Sequence, residues 1–299
     1  MLCRSARKRN QTTNRVMAAV RRYMVLTAFF VWTLVLLPAQ ILAVAIGWRW
    51  LAERVPLFYH NGVCRILRLT VEVRGERSQV RPTLYVCNHV SWVDIPVLAK
   101  VIPGSFVARH DMAGWPFFGM LAKLQRSVFI ERKARRTKDH RDEMSRRLEG
   151  GDNLILFPEG TSSDGIRIQP FKSAFFSLAE RKVDGQPLVV QPVSITFARL
   201  NNLPVGRRTM AYYAWVGDQD LVPHLWRFVG LGPTAVVVEF HPPVSITQFA
   251  SRKELSSYCR ELICQSVSNV LSGRVRPFRP PAFRENPHAH ATIVAANAP

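Results

Sequence analysis

The sequence lacks the cysteine patterns that hold small domains together. It has five cysteines, an odd number, and no two of them have the Cys-x-x-Cys spacing of a metal site. Because a disulfide framework needs paired cysteines and a structural zinc site needs closely spaced ligands, neither is indicated. We therefore expect reduced thiols that face the cytosol and no metal site.

Acidic residues are also scarce. The 299 residues include 21 Asp and Glu against 41 Lys and Arg, which gives a formal net charge of +20. Such a charge indicates a polyanionic partner, either nucleic acid or an anionic lipid surface. The sequence has neither the zinc spacing nor the aromatic and basic motif of a nucleic-acid binder, so we expect no nucleic-acid partner.

One long segment has no charge at all. No charged residue occurs in the 26 positions from Tyr23 to Trp48. As a helix this segment is about 39 Å long, enough to cross or enter a bilayer. Because it exceeds a typical signal-peptide core and has no clean cleavage site, we expect it to be retained. Pro38 lies in its middle and permits a kink, so a monotopic helical hairpin competes with a true span.

The residues around this segment extend the membrane assignment. A basic arm, residues 1–22, precedes it, but Arg49 follows it immediately, so the positive-inside rule leaves its orientation open. From Trp50 to Leu69, apolar and basic residues alternate as in an amphipathic helix, which suits a membrane interface or a helix packed on the soluble core. We assign residues 23–70 to a membrane-associated helical segment on an anionic membrane.

Strand-like and helix-like patterns alternate along the rest of the chain. Short apolar runs predict buried strands at Leu84–Cys87, Ser127–Ile130, Leu154–Phe157, Leu188–Pro192 and Ala235–Phe240. Longer helical stretches, Thr137–Glu149 and Phe171–Lys182, lie between several of them. This alternation predicts an α/β fold with a mixed sheet flanked by helices in a domain of residues 71–273. The proline-rich tail, residues 274–299, is predicted to be disordered.

A histidine and an aspartate follow the first of these strands. If His89 lies in the loop and Asp94 in the first turn of the next helix, the chain folds back and the two side chains meet. The imidazole can then take a proton from a hydroxyl group, while the carboxylate fixes its tautomer and stabilises the imidazolium. The spacing also arises by chance in a chain with eight histidines, so the pair alone does not decide the function.

Two further patterns follow strand-like runs. The planar guanidinium of Arg132 can bind a phosphate or carboxylate, although a surface charge in a basic run is the alternative. The run from Phe157 to Ser163 includes Gly160, which permits a tight turn. Glu159 and the hydroxyls after it offer acceptors and donors for a polar head group, and an ordinary turn is the alternative.

Together with Val189–Val193, these blocks occur in the order and approximate spacing of the glycerophospholipid acyltransferase family, which the sequence resembles from about Thr83 to Val193. The pairing of His-x4-Asp with Phe-Pro-Glu-Gly-Thr is a specific signature of that family. The resemblance implies that His89 and Asp94 are catalytic. It also implies a set of acceptor-binding residues, which are Arg132, Glu159, Gly160, Thr161 and Ser162. It also implies a lysolipid acceptor, a donor that is acyl-CoA or acyl carrier protein, no cofactor, and a membrane-embedded N-terminal helical motif.

One departure concerns the acceptor. Many family members that use lysophosphatidic acid have an arginine where this chain has Ser162, and a serine does not supply that charge. The residues that follow resemble a subgroup that includes lyso-ornithine lipid and other lysophospholipid acyltransferases, and Arg167 or Lys172 could compensate for the lost cation. We expect an O-acyltransferase of the 1-acyl-sn-glycerol-3-phosphate type, with lyso-ornithine lipid as the alternative acceptor. We expect it in the inner membrane with its catalytic domain facing the cytoplasm.

Two alternatives assign other chemistry. A basic, membrane-anchored lipid-binding adaptor would account for the charge without using His89. Cys87 could in principle be an acylated nucleophile. Its position at the end of an apolar strand favours a buried structural thiol instead.

Overall fold

The chain begins with a helix longer than the predicted apolar segment. The computed structural model describes residues 2–130, 137–217 and 219–274, and their side chains from residue 18 onward except those of 137–142. Helix α1, Leu2–Ala45, runs through Pro38 and joins the basic arm to the apolar segment. Its part Ala18–Ala45 is long and apolar enough to cross a membrane, and no other helix among the described residues is.

A second helix, α2 (Arg49–Ile66), folds back against α1. The indole N–H of Trp32 donates to the carbonyl oxygen of Tyr59 over 3.0 Å, and the hydroxyls of Thr33 and Tyr59 lie 3.0 Å apart. The two helices therefore form an antiparallel hairpin. Its outward face has exposed apolar side chains, among them Tyr23, Met24, Phe30, Val31, Leu34, Val35, Ile41, Leu42 and Phe58.

A mixed sheet follows the hairpin. The strands are β1 (Leu69–Arg74), β2 (Thr83–Cys87), β3 (Ser105–Arg109), β4 (Val128–Ile130), β5 (Leu154–Leu156), β6 (Lys182–Val183), β7 (Gln186–Pro187), β8 (Val189–Leu200), β9 (Leu203–Pro204), β10 (Thr234–Phe240) and β11 (Val244–Ser245). The order is β1-β10-β8-β2-β5-β3-β4, with β9 and β11 paired to β8 and with β6 and β7 in a separate ribbon. Strands β2, β3, β4, β5 and β8 are parallel, whereas β10 is antiparallel to β8 and parallel to β1.

Helices cover both faces of the sheet. They are α3 (Asp94–Val101), α4 (Phe118–Leu124), α5 (Thr137–Glu149), α6 (Arg207–Met210), α7 (Leu221–Phe228) and α8 (Arg252–Ser272). Because side chains alternate along a strand, Tyr85 and Cys87 of β2 enter a core with residues of α2 and α3. Leu84 and Val86 enter a second core, on the opposite face, with residues of α5 and α8.

The sequence located most of these elements but not all of their limits. The predicted α/β fold and the helix Thr137–Glu149 are confirmed. Strand β8 extends well beyond the predicted Leu188–Pro192, since it pairs with β10 along most of its length. The predicted helix Phe171–Lys182 is a 3-10 helix, Ser173–Glu180. The predicted disordered tail, apart from Arg274, lies outside the described residues.

One buried carboxylate joins the hairpin to the sheet domain. Asp152, in the loop between α5 and β5, accepts hydrogen bonds from Arg49 at 2.9 Å, Arg126 at 2.7 Å and Arg147 at 3.0 Å. The Asp152 side chain is only 6% exposed, so these three partners offset the cost of burying it. The start of α2 is thereby tied to the segments after α4 and α5.

We predict that Asp152→Asn lowers the free energy of unfolding by about 3 kcal/mol, because three guanidinium groups lose their common counter-charge. Urea unfolding in detergent, followed by tryptophan fluorescence, measures this change. The control is Asp184→Asn, in an exposed turn between β6 and β7, which we expect to change the free energy by less than about 0.5 kcal/mol. Equal changes in the two variants would contradict the role given to Asp152.

Candidate active site

The loop after β2 holds His89 at the carboxyl edge of the sheet. Strands β2 and β5 are parallel, so the residues that follow them, including His89 and Glu159, come together at this edge. Asn88 fixes the loop to β8: its side-chain amide donates to the Ile195 carbonyl at 3.0 Å and accepts from the Ile195 N–H at 2.9 Å. The residue before His89 is therefore part of the sheet's hydrogen bonding.

Asp94 is the first residue of α3 and faces His89, as predicted. Its Oδ2 lies 2.8 Å from Nδ1 of His89 and accepts the backbone N–H groups of Val90 and Ser91 at 2.6 and 2.9 Å. The Asp94 side chain is fully buried, whereas that of His89 is 18% exposed. Because Nδ1 is held by the carboxylate, Nε2 is the ring nitrogen left to meet a substrate.

The imidazole of His89 rests on an aromatic wall. Its ring stacks on Phe157, with centroids 4.2 Å apart and planes 19° apart, and Phe157 stacks in turn on Phe106. One face of the histidine is thereby closed to water. The ring is held both by the carboxylate at its edge and by the phenyl ring on its face.

The backbone of His89 is held by the segment after β5. Its N–H donates to Oε1 of Glu159 at 2.6 Å, and its carbonyl accepts from the N–H and the hydroxyl of Ser163 at 2.8 and 2.9 Å. The other carboxylate oxygen of Glu159 accepts the N–H of Gln169 at 2.7 Å. Both oxygens of this side chain, which is 2% exposed, therefore bind backbone groups.

Comparison with known proteins relates this arrangement to a family. A family model described as Acyltransferase matches residues 70–196. The lyso-ornithine lipid O-acyltransferase of Rhizobium meliloti is 41% identical over 251 residues, which are 82% of this chain and 85% of that protein. This chain belongs to the acyltransferase family. It is thus an enzyme that transfers acyl groups, which the adaptor alternative does not predict.

Other relatives carry two kinds of name. The lyso-ornithine lipid O-acyltransferase of Brucella abortus is 36% identical and covers 88% of this chain and 99% of its own. The 1-acyl-sn-glycerol-3-phosphate acyltransferase of Neisseria meningitidis is 33% identical and covers 70% of this chain and 79% of its own. The crystal structure of the 1-acyl-sn-glycerophosphate acyltransferase of Thermotoga maritima shares the fold, with a TM-score of 0.62, 21% identity, and coverage of 88% of this chain and 98% of that chain.

The other predicted site residues of this acyltransferase lie around the same loop. Gly160 has φ 71°, a backbone conformation that favours glycine, and a Cβ built on it would lie 2.6 Å from Nζ of Lys172, so the ammonium lies directly beside this turn. Thr161 is exposed, and the Ser162 hydroxyl donates to the backbone carbonyl of Trp215. Arg132 lies outside the described residues, so its predicted part in acceptor binding stays a prediction.

An apolar groove of about 420 Å³ runs between the hairpin and the sheet domain of this acyltransferase. Trp92 and Ile95, beside the histidine and aspartate, line it, as does Phe106 behind the aromatic wall. Most of the remaining walls come from four helices, α1 (Val25, Leu26, Phe29, Leu36), α2 (Val55, Tyr59, Val63), α4 (Phe118, Leu121, Leu124) and α7 (Leu221, Val222, Leu225). The groove reaches Trp92, in the loop that holds His89, and Ile95 of α3, although His89 itself does not line it, and it has the character of a hydrocarbon site.

Two residues that contact the loop were not predicted from the sequence. Trp215 lines the groove, its backbone N–H donates to the Val90 carbonyl at 3.0 Å, and its carbonyl accepts the Ser162 hydroxyl. His224 of α7 accepts the indole N–H of Trp92 at 3.0 Å. Neither belongs to a motif, and a buried histidine facing a tryptophan of the His-x4-Asp loop is visible only in the folded chain.

The carboxyl group of Glu159 has an unusual pKa. Burial raises this pKa from 4.5 to about 7, although the backbone hydrogen bonds from His89 and Gln169 act in the opposite direction. The folded protein therefore binds a proton here more tightly than the unfolded chain does.

Because this proton stabilises the folded state and dissociates as the pH rises, we predict that the wild type loses stability relative to Glu159→Gln between pH 4.5 and pH 7. The loss reaches at most about 3 kcal/mol, since the folded-state pKa lies above the unfolded one and Gln does not titrate. Unfolding free energies of both proteins across this pH range give the difference. If that difference instead rises with pH, the two backbone hydrogen bonds outweigh burial, and the carboxylate form is the stable one.

Proposed function

We propose that this acyltransferase moves a fatty acyl group from a thioester donor to the hydroxyl group of a lysolipid. The observation that carries this proposal is the 2.8 Å contact between His89 and Asp94, in a loop whose Trp92 lines an apolar groove. The donor is acyl-CoA or acyl carrier protein. Because a thioester is already activated, we propose that the reaction uses no cofactor.

In this mechanism His89 is the general base. Its Nε2 takes the proton of the lysolipid hydroxyl as the oxygen forms a bond to the thioester carbonyl carbon. The tetrahedral intermediate then expels the thiolate as the carbon–sulfur bond breaks, and the imidazolium returns the proton to the sulfur. Asp94 fixes the tautomer and stabilises the positive ring.

A protein nucleophile is not needed. Cys87 is the nearby thiol, but it is fully buried, and burial raises its pKa well above the usual value. Its side chain enters the core on the α2 and α3 face of the sheet. We therefore propose direct transfer from the thioester to the lipid alcohol.

Glu159 acts in our proposal as a positioning residue. Its oxygens are occupied by backbone N–H groups and are not free for an acceptor. Lys172 is the cation that we propose for the acceptor's acidic group, because it is exposed and its ammonium lies beside Gly160. Arg132, Thr161 and Ser162 remain predicted parts of the same acceptor site.

The acceptor that we favour is a lyso-ornithine lipid. Relatives at 41% and 36% identity carry that name, and Ser162 gives its hydroxyl to a backbone carbonyl where an arginine would add charge. Lysophosphatidic acid is the second candidate, supported by the relative from Neisseria meningitidis and by the cation of Lys172.

We propose that the hairpin lies within one leaflet. Arg21, near the start of the apolar part of α1, donates to the Gly230 carbonyl at 2.8 Å, and Arg49, just beyond its end, pairs with Asp152 at 2.9 Å. These arginines are about 42 Å apart along the helical chain, yet both contact the sheet domain. A helix that crossed the bilayer would carry one of these contacts to the far side. We place the domain on the cytoplasmic side of the inner membrane, where the donors are made.

The function is tested with purified protein and a radiolabelled acyl donor, supplied as acyl-CoA and as acyl carrier protein in separate reactions. Lyso-ornithine lipid and lysophosphatidic acid are offered side by side, and we expect faster turnover of the first. His89→Ala should lower the rate by about 10³-fold, whereas the control Cys87→Ala should retain it. Equal product from wild type and His89→Ala would refute the mechanism, and turnover of lysophosphatidic acid alone would reverse the acceptor preference.

Two substitutions of Asp94 separate its charge from its hydrogen bonds. An asparagine oxygen in place of Oδ2 can still accept from His89, Val90 and Ser91, so Asp94→Asn should keep the melting temperature while kcat falls about 10²-fold to 10⁴-fold. Asp94→Ala should lower both quantities, because the loop loses its acceptor. Melting curves and saturation kinetics distinguish these cases. A kcat in Asp94→Asn equal to that of the wild type would show that the reaction does not need the negative charge of Asp94.

A further inference from the structure

Three arginines meet where α1 enters its apolar part. Arg21 donates to the Gly230 carbonyl at 2.8 Å, and the guanidinium carbon of Arg22 lies 5.3 Å from the centre of the Trp226 ring. Arg68, just after α2, accepts the backbone N–H of Thr234, four residues beyond Gly230, at 3.0 Å through its carbonyl, and burial together with the charges of Arg68 and Arg22 lowers the pKa of Arg21.

This cluster has no counter-charge in the described part of the chain. None of the three guanidinium groups forms an ion pair there, and the Nε atoms of Arg21 and Arg22 are buried without a hydrogen-bond partner. Arg49, at the other end of the hairpin, differs, because it pairs with Glu53 and Asp152. Like charges held together repel one another unless an anion lies among them.

The cluster borders the surface that faces lipid. The ring of Tyr23 lies 5.3 Å from that of Trp226 in an edge-to-face contact, an aromatic pair of the kind found at membrane interfaces. Tyr23 is 63% exposed, and Val222 on α7 is 73% exposed. Apolar exposure on both sides of a cationic site matches the boundary between acyl chains and head groups.

We propose that Arg21, Arg22 and Arg68 form a binding site for the phosphate of an anionic membrane lipid, separate from the site of the acyl acceptor. Guanidinium groups bind phosphate oxygens through paired N–H donors, and the phosphate supplies the missing negative charge. The proposal rests on the proposed membrane association of the hairpin but not on catalysis.

The site is connected to the active-site loop through α7. Gly230 lies two residues beyond the end of that helix, and His224 and Phe228 within it contact Trp92, by a 3.0 Å hydrogen bond and by rings 5.2 Å apart. Trp92 lies between His89 and Asp94 in the chain. A lipid phosphate that joins α1 to the end of α7 therefore also stabilises the packing behind the catalytic loop.

Vesicle flotation without substrates tests the site. Arg21→Gln/Arg68→Gln should bind phosphatidylglycerol vesicles about 30-fold more weakly than wild type, at about fivefold for each charge removed near the surface. The matched control is Lys182→Gln/Lys253→Gln, which removes the same charge from exposed positions by the α5 and α8 face of the sheet. We expect less than about a threefold loss for the control, and no difference among the proteins on phosphatidylcholine vesicles.

Equal losses in the two double variants would overturn the site, since they would reflect net charge alone. Failure of the wild type to bind either vesicle would overturn both the site and the membrane association, while leaving the acyl-transfer reaction open to its own assay.

The wild-type protein provides a test that does not depend on the folding of a variant. Phenylglyoxal modification of Arg21, Arg22 and Arg68 is mapped by mass spectrometry in the presence of phosphatidylglycerol vesicles, phosphatidylcholine vesicles or inorganic phosphate at equal ionic strength. Protection by phosphatidylglycerol vesicles only supports a lipid headgroup site. Equal protection by inorganic phosphate would identify a free-phosphate site and overturn the lipid assignment, and no protection by any of the three would overturn the site itself.

Discussion

The buried carboxylate of Asp94 is the constraint on which the active site depends. A carboxylate in the core is costly unless donors surround it, and here Oδ2 receives a ring nitrogen and two backbone N–H groups at the start of α3, while Oδ1 is buried without a hydrogen-bond partner among the described residues. The same contacts that solvate the charge also fold the loop. The oxygen that holds the loop backbone is therefore also the one that orients the imidazole of His89.

Sequence reasoning identified this pair because both partners lie within one short block. The strand before His89 and the helix that begins at Asp94 follow from local pattern, so the distance between the two side chains is almost determined by chain connectivity. The role of Glu159 could not be identified in this way. Its residue type suggests a ligand for a polar substrate, and only the parallel pairing of β2 with β5 shows that its oxygens face backbone N–H groups instead.

Other contacts could not be predicted for the same reason, because they join segments that are distant in the sequence. Trp215 and His224 come from segments with no recognisable motif, and they reach the loop because the chain returns across the sheet after β8. The amphipathic pattern of α2 allowed a membrane interface or a packed helix, and the folded chain shows a helix that is packed on one side and exposed on the other. Phe58 is exposed on its outer side, while Val63 is buried on its inner side. Long-range contacts of this kind depend on topology, which local periodicity does not encode.

The groove is formed jointly by the two segments that the sequence analysis separated at residue 70, the helical hairpin and the sheet domain. Val25 and Phe29 of α1 form one wall, and Leu121 of α4 forms part of the other, so neither segment encloses the groove alone. The outer face of the same helices is apolar and exposed. On the membrane placement that we propose, a substrate chain can pass along the hairpin from the bilayer into the groove without crossing water and reach the loop of His89. The hairpin is in this sense a wall of the groove, and its ends are fastened to the sheet domain at Gly230 and Asp152.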